Sequence, residues 1–323
     1  MNKILIALLS VILCTYCYGA TAETMLKMGF TLAASSHYGV AATAFAEEIA
    51  RKTAGRYAVQ LYPDGTLAQE RELLEGAQDG EIDLMIVSTG PVDIFVPETL
   101  ITDIPFLFHD YNHARAVLDG PIGQELLALF PKHDLIALAW GENGFRHLTN
   151  NVRPVQGPQD LQGLRVRTMQ NPLHVLTFAT LGARPTPMQF SDIFEALRQH
   201  TIDGQENPTP TVVKADLAKV QKYLSLTGHV YSPALVIMSP ARWNALDESD
   251  RTIFRDAARR AAAVMRSEID RTEQLALSQL RDAGMQILTV DRAPFEQAVA
   301  PVFADCARRF GAANIERIRN FRN

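Results

Sequence analysis

The stretch DLMIVSTGP, residues 83–91, indicates how this chain folds. Its apolar run ends at Ser88, Thr89, Gly90 and Pro91, which are residues that favour turns. A short apolar run that turn residues terminate is typical of a strand buried on both faces, as in a parallel sheet covered by helices. We therefore take residues 83–87 as a central strand.

The residues before this strand alternate between strand and helix patterns. Strands are predicted at residues 26–30 and 59–62, and helices at residues 42–50 and 70–78. This alternation predicts an α/β fold with a parallel, doubly wound sheet. Ligands of such sheets bind beyond the carboxyl ends of the strands. The loops at those ends contain four candidate ligand contacts: Ser36, His37, Ser88 and Thr89.

A second unit of the same kind begins with the apolar residues 135–140 and includes LRVRTMQNP, residues 164–172. Alternation places Arg165 and Arg167 on one face of a short strand, and Pro172 prevents a regular continuation. The polar residues Gln170 and Asn171 lie between the strand and this proline. Two interpretations remain open, a surface salt bridge or a site that recognises an anion.

Residues 249–283 carry apolar side chains at helical spacing among many charges, and Gly284 is a suitable C-terminal stop. A single helix of this length would extend about 50 Å, which exceeds one ordinary domain. The pattern therefore predicts either one helix that bridges two lobes or two helices with a break between them.

The first residues predict export. Met1-Asn2-Lys3 precedes an apolar run over residues 4–13, and the small residues Ala20 and Ala22 follow. This pattern is typical of a secretory signal peptide, here residues 1–22, cleaved near Ala22, so we expect a periplasmic protein. Cys14 and Cys17 lie within that segment, which leaves Cys306 without an intramolecular disulfide partner.

Composition argues against several other classes of protein. The 31 basic and 36 acidic residues give a net charge of −5 without a basic cluster, which argues against nucleic-acid binding. No later apolar stretch reaches the roughly 18 residues of a spanning helix. The eight histidines form no metal-ligand spacing, and neither G-x-S-x-G nor H-E-x-x-H occurs. We expect no catalytic residues, no metal and no cofactor.

Longer segments resemble a known family. LQGLRVRTMQNP (161–172), LGARPTPMQFSDIFEALRQHTIDGQENP (181–208) and VQKYLSLTGHVYSP (220–233) are similar to the periplasmic solute-binding proteins of TRAP transporters, the DctP-type family. The resemblance implies a two-lobed periplasmic-binding-protein-like fold, with two doubly wound sheets joined by crossing segments and a long bridging helix. The implied lobes are residues 23–144 with about 233–270, and residues 145–232 with about 271–323.

The resemblance also implies roles for individual residues. It assigns Arg167, Arg146 and Asn207 to the ligand carboxylate and Phe190 to packing on the ligand. Gln170, Asn171 and Tyr231 are further candidates, together with the four residues of the first lobe. Each has a structural alternative: a domain-stabilising salt bridge for Arg146, capping for the amides, and an ordinary core position for Phe190.

The implied function is capture of a small organic carboxylate and its delivery to the membrane permease subunits, small and large. Polar Gln170 and Asn171 suit a hydroxylated ligand, so we expect a sugar acid such as a hexuronate or an aldonate, with a C4-dicarboxylate as the alternative. Functions of other classes are a ligand receptor for a membrane sensor and an exported hydrolase. The missing catalytic motifs argue against the hydrolase.

Overall fold

A computed structural model describes residues 24–322, so the predicted signal peptide, with Cys14 and Cys17, lies outside the described residues. The strands are β1 (Thr24–Gly29), β2 (Tyr57–Tyr62), β3 (Leu84–Ser88), β4 (Ile136–Asn150), β5 (Arg165–Thr168), β6 (Arg184–Pro187), β7 (Gly204–Asn207), β8 (Tyr223–Met238) and β9 (Gln286–Thr289). The α-helices are α1 (His37–Lys52), α2 (Glu70–Gln78), α3 (Tyr111–Asp119), α4 (Pro121–Leu127), α5 (Pro172–Thr180), α6 (Ile193–Arg198), α7 (Thr209–Lys214), α8 (Pro240–Ala245), α9 (Glu248–Asp282), α10 (Ala293–Ala298), α11 (Ala300–Phe310) and α12 (Ala312–Arg319). Short 3-10 segments include Val92–Ile94, Pro97–Asp103 and Phe190–Asp192.

The strands form one hydrogen-bonded sheet in the order β2-β1-β3-β8-β4-β7-β5-β6, with β9 beside β8. Strands β1, β2 and β3 are mutually parallel on one side, and β5, β6 and β7 are parallel on the other. The antiparallel strands β4 and β8, of 15 and 16 residues, run through both halves. These two strands are the crossing segments, and they join the two expected sheets into one.

The two-lobed α/β prediction is therefore confirmed, and β6 is an addition to it. The sequence RPTP at residues 184–187 contains two prolines, and the sequence analysis predicts no strand there. In the structure it pairs only with β5, at the edge of the sheet. An edge strand tolerates proline because one side of its backbone needs no ladder hydrogen bond.

Helix α9 is a single helix of 35 residues, so the alternative of two helices is wrong. Asp247 caps its first turn by accepting a hydrogen bond from the backbone N–H of Asp250 at 2.8 Å. Along its length α9 packs against α1 and β4 in one half of the molecule and against α7 and β9 in the other. It thus bridges both halves, as expected.

The last helices contact both halves as well. Arg317 of α12 forms an ion pair with Glu125 of α4 at 2.6 Å, while α11 packs against α5. Cys306 of α11 is buried and carries a free thiol. Within residues 24–322, every helix is too short or too polar to cross a membrane.

The apolar face of α9 should dominate the stability of the first half. Phe254 is fully buried and its ring packs edge-to-face on Phe45 and Tyr57, with centroids 6.0 and 5.6 Å away. Phe254→Ala should lower the free energy of unfolding by about 3–5 kcal/mol, since it leaves a cavity. Urea unfolding measures this. Leu275→Ala on the same helix is the control, because Leu275 is 50% exposed and should change stability by less than about 0.5 kcal/mol. Equal losses in both variants would contradict this packing.

Candidate functional site

Two adjoining cavities lie between the halves of the molecule, each with about 310 Å³ of space free of protein atoms. Residues at or just beyond the carboxyl ends of β1, β3, β5 and β7 line them, as the rule for α/β sheets predicts. The residues common to both cavities are Thr31, Glu70, Arg167, Met169 and Phe190. The second cavity also reaches Leu32, Tyr38, Ser88, Asn143, Arg146, Asn207 and Thr211.

Arg167 is a cation of the cavity lining that protein groups satisfy only in part. Its side chain is buried, and Nε and Nη2 both donate to the carbonyl oxygen of Met188, at 3.0 and 2.6 Å. Among residues 24–322, no acceptor contacts Nη1 and no carboxylate pairs with the guanidinium. Burial lowers the pKa of Arg167 to about 10, an effect that Glu206 and Glu70 oppose, so the group stays charged at neutral pH. A buried, charged donor at a cavity wall can bind an anion.

The neighbouring Arg165 differs although it lies on the same strand face. Its Nη2 donates to Asp203 at 2.5 Å, and its side chain is 42% exposed. The two interpretations of LRVRTMQNP therefore both apply, one to each arginine. Arg165 forms the surface salt bridge, and Arg167 faces the cavities.

Arg146 is fully buried and already has a carboxylate partner, Glu206. Its Nε and Nη2 donate to the two carboxylate oxygens, and Nη2 also donates to Asn207 Oδ1 at 3.1 Å. Burial raises the pKa of Glu206, but Arg146 and a hydrogen bond with His229 outweigh it and hold that pKa well below its usual range. The salt bridge expected as the structural alternative for Arg146 is thus present, and Arg146 lines the second cavity as well.

Three buried polar atoms of the second cavity have no partner among the described residues. They are the Tyr38 hydroxyl, Arg146 Nη1 and Thr211 Oγ1. A buried polar group without a hydrogen bond costs about 1–3 kcal/mol of stability. Three such atoms on one cavity wall indicate a surface suited to a polar ligand that can satisfy them.

Glu70 contributes a carboxylate to the lining of both cavities. The backbone N–H and the hydroxyl of Ser88 donate to its two oxygens at 2.6 and 2.9 Å. Burial raises the pKa of Glu70, an effect that Ser88, Arg167 and Arg146 oppose. Each oxygen retains a lone pair for a further donor. The cavities therefore combine guanidinium donors with a carboxylate acceptor.

Six of the expected contacts line the cavities: Arg167, Arg146, Asn207, Gln170, Phe190 and Ser88. The other five lie outside the lining: Ser36, His37, Thr89, Asn171 and Tyr231. Both polar atoms of the Asn207 side chain are hydrogen-bonded, since Oδ1 accepts from Arg146 Nη2 and Nδ2 donates to Gln205 Oε1 at 2.5 Å. Ser36 caps α1, and the ring of His37 contacts Asn143 Oδ1 at 3.2 Å.

Asn171 and Tyr231 have structural partners for all their polar groups. Asn171 Oδ1 caps α5 by accepting from the N–H groups of Leu173 and His174, and its Nδ2 donates to the carbonyl oxygen of Gly90 at 3.1 Å. This is the capping alternative given for Asn171. The Tyr231 hydroxyl donates to Glu142 at 2.8 Å, and its ring packs in an aromatic cluster of the core.

The sequence analysis did not identify several residues that line the cavities. The main ones are Thr31, Tyr38, Glu70, Asn143, Met169 and Thr211. Glu70 could have been found, because it opens a predicted helix that precedes the central strand. Tyr38 and Thr211 could not, because helical spacing alone does not decide which side chain faces a cleft. Within the described part of the chain, no three His, Cys, Asp or Glu side chains cluster as metal ligands would.

His37 should make stability depend on pH. Burial lowers its pKa to about 4, partly opposed by the hydrogen bond with Asn143, whereas an unfolded imidazole titrates near pH 6.5. The unfolded chain therefore takes up this proton first, and the free energy of unfolding should fall as the pH drops from about 6.5 to about 4. His37→Gln should flatten the decline by at most about 1.4 kcal/mol per pH unit.

Urea unfolding at several pH values measures this slope. His200→Asn is the control, because His200 is exposed and has φ 57°, a conformation that asparagine tolerates. The control should keep the wild-type slope. An unchanged slope in His37→Gln would contradict the prediction.

Comparisons with known proteins agree with this geometry. The profile of the family described as "Bacterial extracellular solute-binding protein, family 7", DctP, matches residues 28–309. A TRAP periplasmic solute-binding protein from Polaromonas sp. JS666, solved bound to D-erythronate, is 48% identical with a TM-score of 0.92, covering 93% of this chain and 100% of that chain. A TRAP periplasmic solute-binding protein from Bordetella bronchispeptica, with density interpreted as pantoate, is 50% identical with a TM-score of 0.91. The match covers 93% of this chain and 100% of that chain.

The 2,3-diketo-L-gulonate-binding periplasmic protein of Escherichia coli K12 is 33% identical over 288 residues, which are 89% of this chain and 88% of that protein. The resemblance inferred from LRVRTMQNP and the segments after it is thereby confirmed. This chain belongs to family 7 of the bacterial extracellular solute-binding proteins, the DctP family of TRAP transporters.

Proposed function

We propose that this chain captures a small hydroxylated monocarboxylic acid, a sugar acid of the aldonate or hexuronate type, and delivers it to TRAP permease subunits. The observation that carries the proposal is the buried Arg167 guanidinium, which has no carboxylate partner among residues 24–322 and lines the same cavities as Glu70. The Arg167 guanidinium binds the ligand carboxylate, and Glu70 accepts hydrogen bonds from the ligand hydroxyl groups.

The carboxylate end of the ligand is assigned to the two arginines. Arg167 Nη1 and Arg146 Nη1 are the donors without protein acceptors, and both residues line the second cavity. Charge-assisted hydrogen bonds of this kind contribute roughly 1.5–3 kcal/mol each. Two of them, with apolar burial against Phe190 and Met169, are sufficient for a micromolar complex, which needs about 8 kcal/mol.

The hydroxyl groups of the ligand are assigned to Glu70, Tyr38, Thr211 and Gln170. Glu70 accepts hydrogen bonds from hydroxyls, and the Tyr38 and Thr211 hydroxyls lack partners in the protein. A second ligand carboxylate placed beside Glu70 would be repelled, because like charges at short range in a buried site strongly oppose each other. This argument favours a sugar acid over the C4-dicarboxylate alternative.

The pairing of the two arginines supports the same choice. Glu206 compensates Arg146, and Glu70 lies near Arg167 without a salt bridge to it. One ligand carboxylate therefore completes the pairing of Arg167. D-erythronate and pantoate, the acids named for two related structures, each have a single carboxylate together with hydroxyl groups. Erythronate-sized acids and larger hexuronates are both within this proposal.

Asn207 is proposed to orient Arg146, and Phe190 to cover the apolar face of the ligand. Ser36, His37, Thr89, Asn171 and Tyr231 are assigned to support of the loops and strands that carry the site, since their polar groups bond within the protein. The delivery step, the periplasmic location and cleavage near Ala22 are part of the proposal, which the family and the leader pattern support. The function is binding without catalysis.

Arg167→Ala should weaken binding of D-erythronate by about 3 kcal/mol or more, roughly a hundredfold in Kd, because the buried ligand carboxylate loses its partner. Isothermal titration calorimetry measures the change. Arg165→Ala is the matched control, two residues away on the same face but paired with Asp203 at the surface. It should leave Kd within about twofold. Equal effects of the two substitutions would contradict the assignment of Arg167.

Glu70→Gln should change which acid binds. The amide keeps the size of the side chain and removes the negative charge, so succinate should gain affinity relative to D-erythronate by about tenfold or more. Titrating both acids into the wild type and the variant gives the ratio. A wild type that prefers succinate would contradict the sugar-acid proposal, and an unchanged ratio in the variant would contradict the role of Glu70.

A further inference from the structure

His174 occupies a position that solute binding, as described so far, does not explain. It lies in the first turn of α5 and is almost fully buried. Its Nε2 contacts Asp103 Oδ1 at 3.2 Å, and its Nδ1 lies 4.0 Å from Glu206 Oε1. One imidazole ring thus stands between two buried carboxylates that come from distant parts of the chain.

The two carboxylates hold residues on opposite walls of the binding cavities, although neither carboxylate lines a cavity itself. Glu206 holds Arg146 on one wall. Asp103 accepts a hydrogen bond from Thr89 Oγ1 at 3.1 Å, and Thr89 directly follows Ser88, which contacts Glu70 on the other wall. His174 therefore lies between the carboxylate that holds Arg146 and the carboxylate that holds the loop of Ser88 and Thr89.

The protonation of the His174 ring decides whether its interaction with both carboxylates is favourable. Asp103 as a carboxylate can only accept, so Nε2 carries a proton. In a neutral ring, Nδ1 would then turn a lone pair towards Glu206, and Nδ1 has no hydrogen-bond partner among the described residues. An imidazolium instead directs an N–H at each carboxylate, which stabilises both.

We propose that His174 is a positioning residue for solute binding, whose imidazolium joins Asp103 to Glu206 and so holds the two walls of the cavities together. It acts through Glu206, which fixes the orientation of Arg146, and through the Thr89 loop. This inference rests on the proposed function, and it predicts that ligand affinity depends on the proton of His174.

Other ionisable groups near this ring interact electrostatically with it or with its two carboxylates. His229 of β8 contacts Glu206 from the opposite side at 3.2 Å, and burial lowers the pKa of His229. Asp93 lies beside Asp103. Its pKa is raised to about 7, chiefly by burial and then by Asp103, while Arg309 of α11 opposes that rise. The effect of Asp93 must therefore be distinguished experimentally from that of His174.

The binding test uses D-erythronate and calorimetry from about pH 5.5 to about pH 8.5. Wild-type Kd should rise with pH, by up to about tenfold per pH unit once the proton is lost. His174→Gln should bind more weakly at low pH and show little pH dependence. Asp103→Asn should behave similarly, which preserves the test if His174→Gln does not fold. Asp93→Asn, which removes a neighbouring carboxylate without touching the ring, should keep the wild-type slope.

A second measurement needs no ligand. Nitrogen-15 NMR of ring-labelled histidine follows the proton of His174, whose signal is identified by its loss in His174→Gln. The proton should leave His174 at lower pH in Asp103→Asn than in the wild type, because one of the two carboxylates that stabilise it has become neutral. Asp93→Asn should change the titration less.

The outcomes separate this inference from the proposed function. A wild-type slope that persists in His174→Gln with unchanged Kd overturns the role of His174, as does a slope that disappears only in Asp93→Asn. A His174 titration that is the same in wild type and Asp103→Asn also overturns it. If D-erythronate fails to bind at every pH, D-erythronate is excluded as the ligand, and the NMR titration alone decides the inference.

Discussion

Burying a guanidinium without a carboxylate beside it costs free energy, and Arg167 is held in that situation. The carbonyl oxygen of Met188 fixes its orientation but leaves the positive charge unpaired. Much of the architecture serves this arrangement. Strand β5 ends at the cleft, and the long strands β4 and β8 with helix α9 join the two halves of the molecule. In the proposed function, a bound anion offsets the cost of the unpaired charge.

The remaining charges of the cleft limit which anion can enter. Arg146 is compensated by Glu206, so its guanidinium contributes a hydrogen-bond donor more than a net charge. Glu70 adds a negative charge on the opposite wall. A single carboxylate with hydroxyl groups satisfies Arg167, Glu70 and the partnerless Tyr38 hydroxyl together, whereas a second carboxylate would lie against Glu70. Selectivity in this account comes as much from repulsion as from attraction.

Local patterns in the sequence were sufficient for much of the fold. Strands β1 to β3 and helix α2 follow from periodicity, whereas the pattern over α9 left one helix or two open. Arg167 was distinguished from Arg165 only by the family resemblance. Strand β8 was missed because Gly228 and Pro233 interrupt its apolar pattern, and its pairing with β3 and β4 joins segments far apart in sequence. The Arg146–Glu206 pair was missed for the same reason, because its two residues lie 60 positions apart in the sequence. Asn171 and Tyr231 were expected at the ligand, but capping and core packing determine where their side chains point.

The most direct test of this account is a crystal structure of the protein with D-erythronate. The account predicts a ligand carboxylate oxygen within about 2.7–3.2 Å of Arg167 Nη1, with hydroxyl groups donating to Glu70. A ligand bound in the opposite direction, with its hydroxyls at Arg167, would contradict the central claim. So would a carboxylate held elsewhere while Arg167 Nη1 remains without an acceptor.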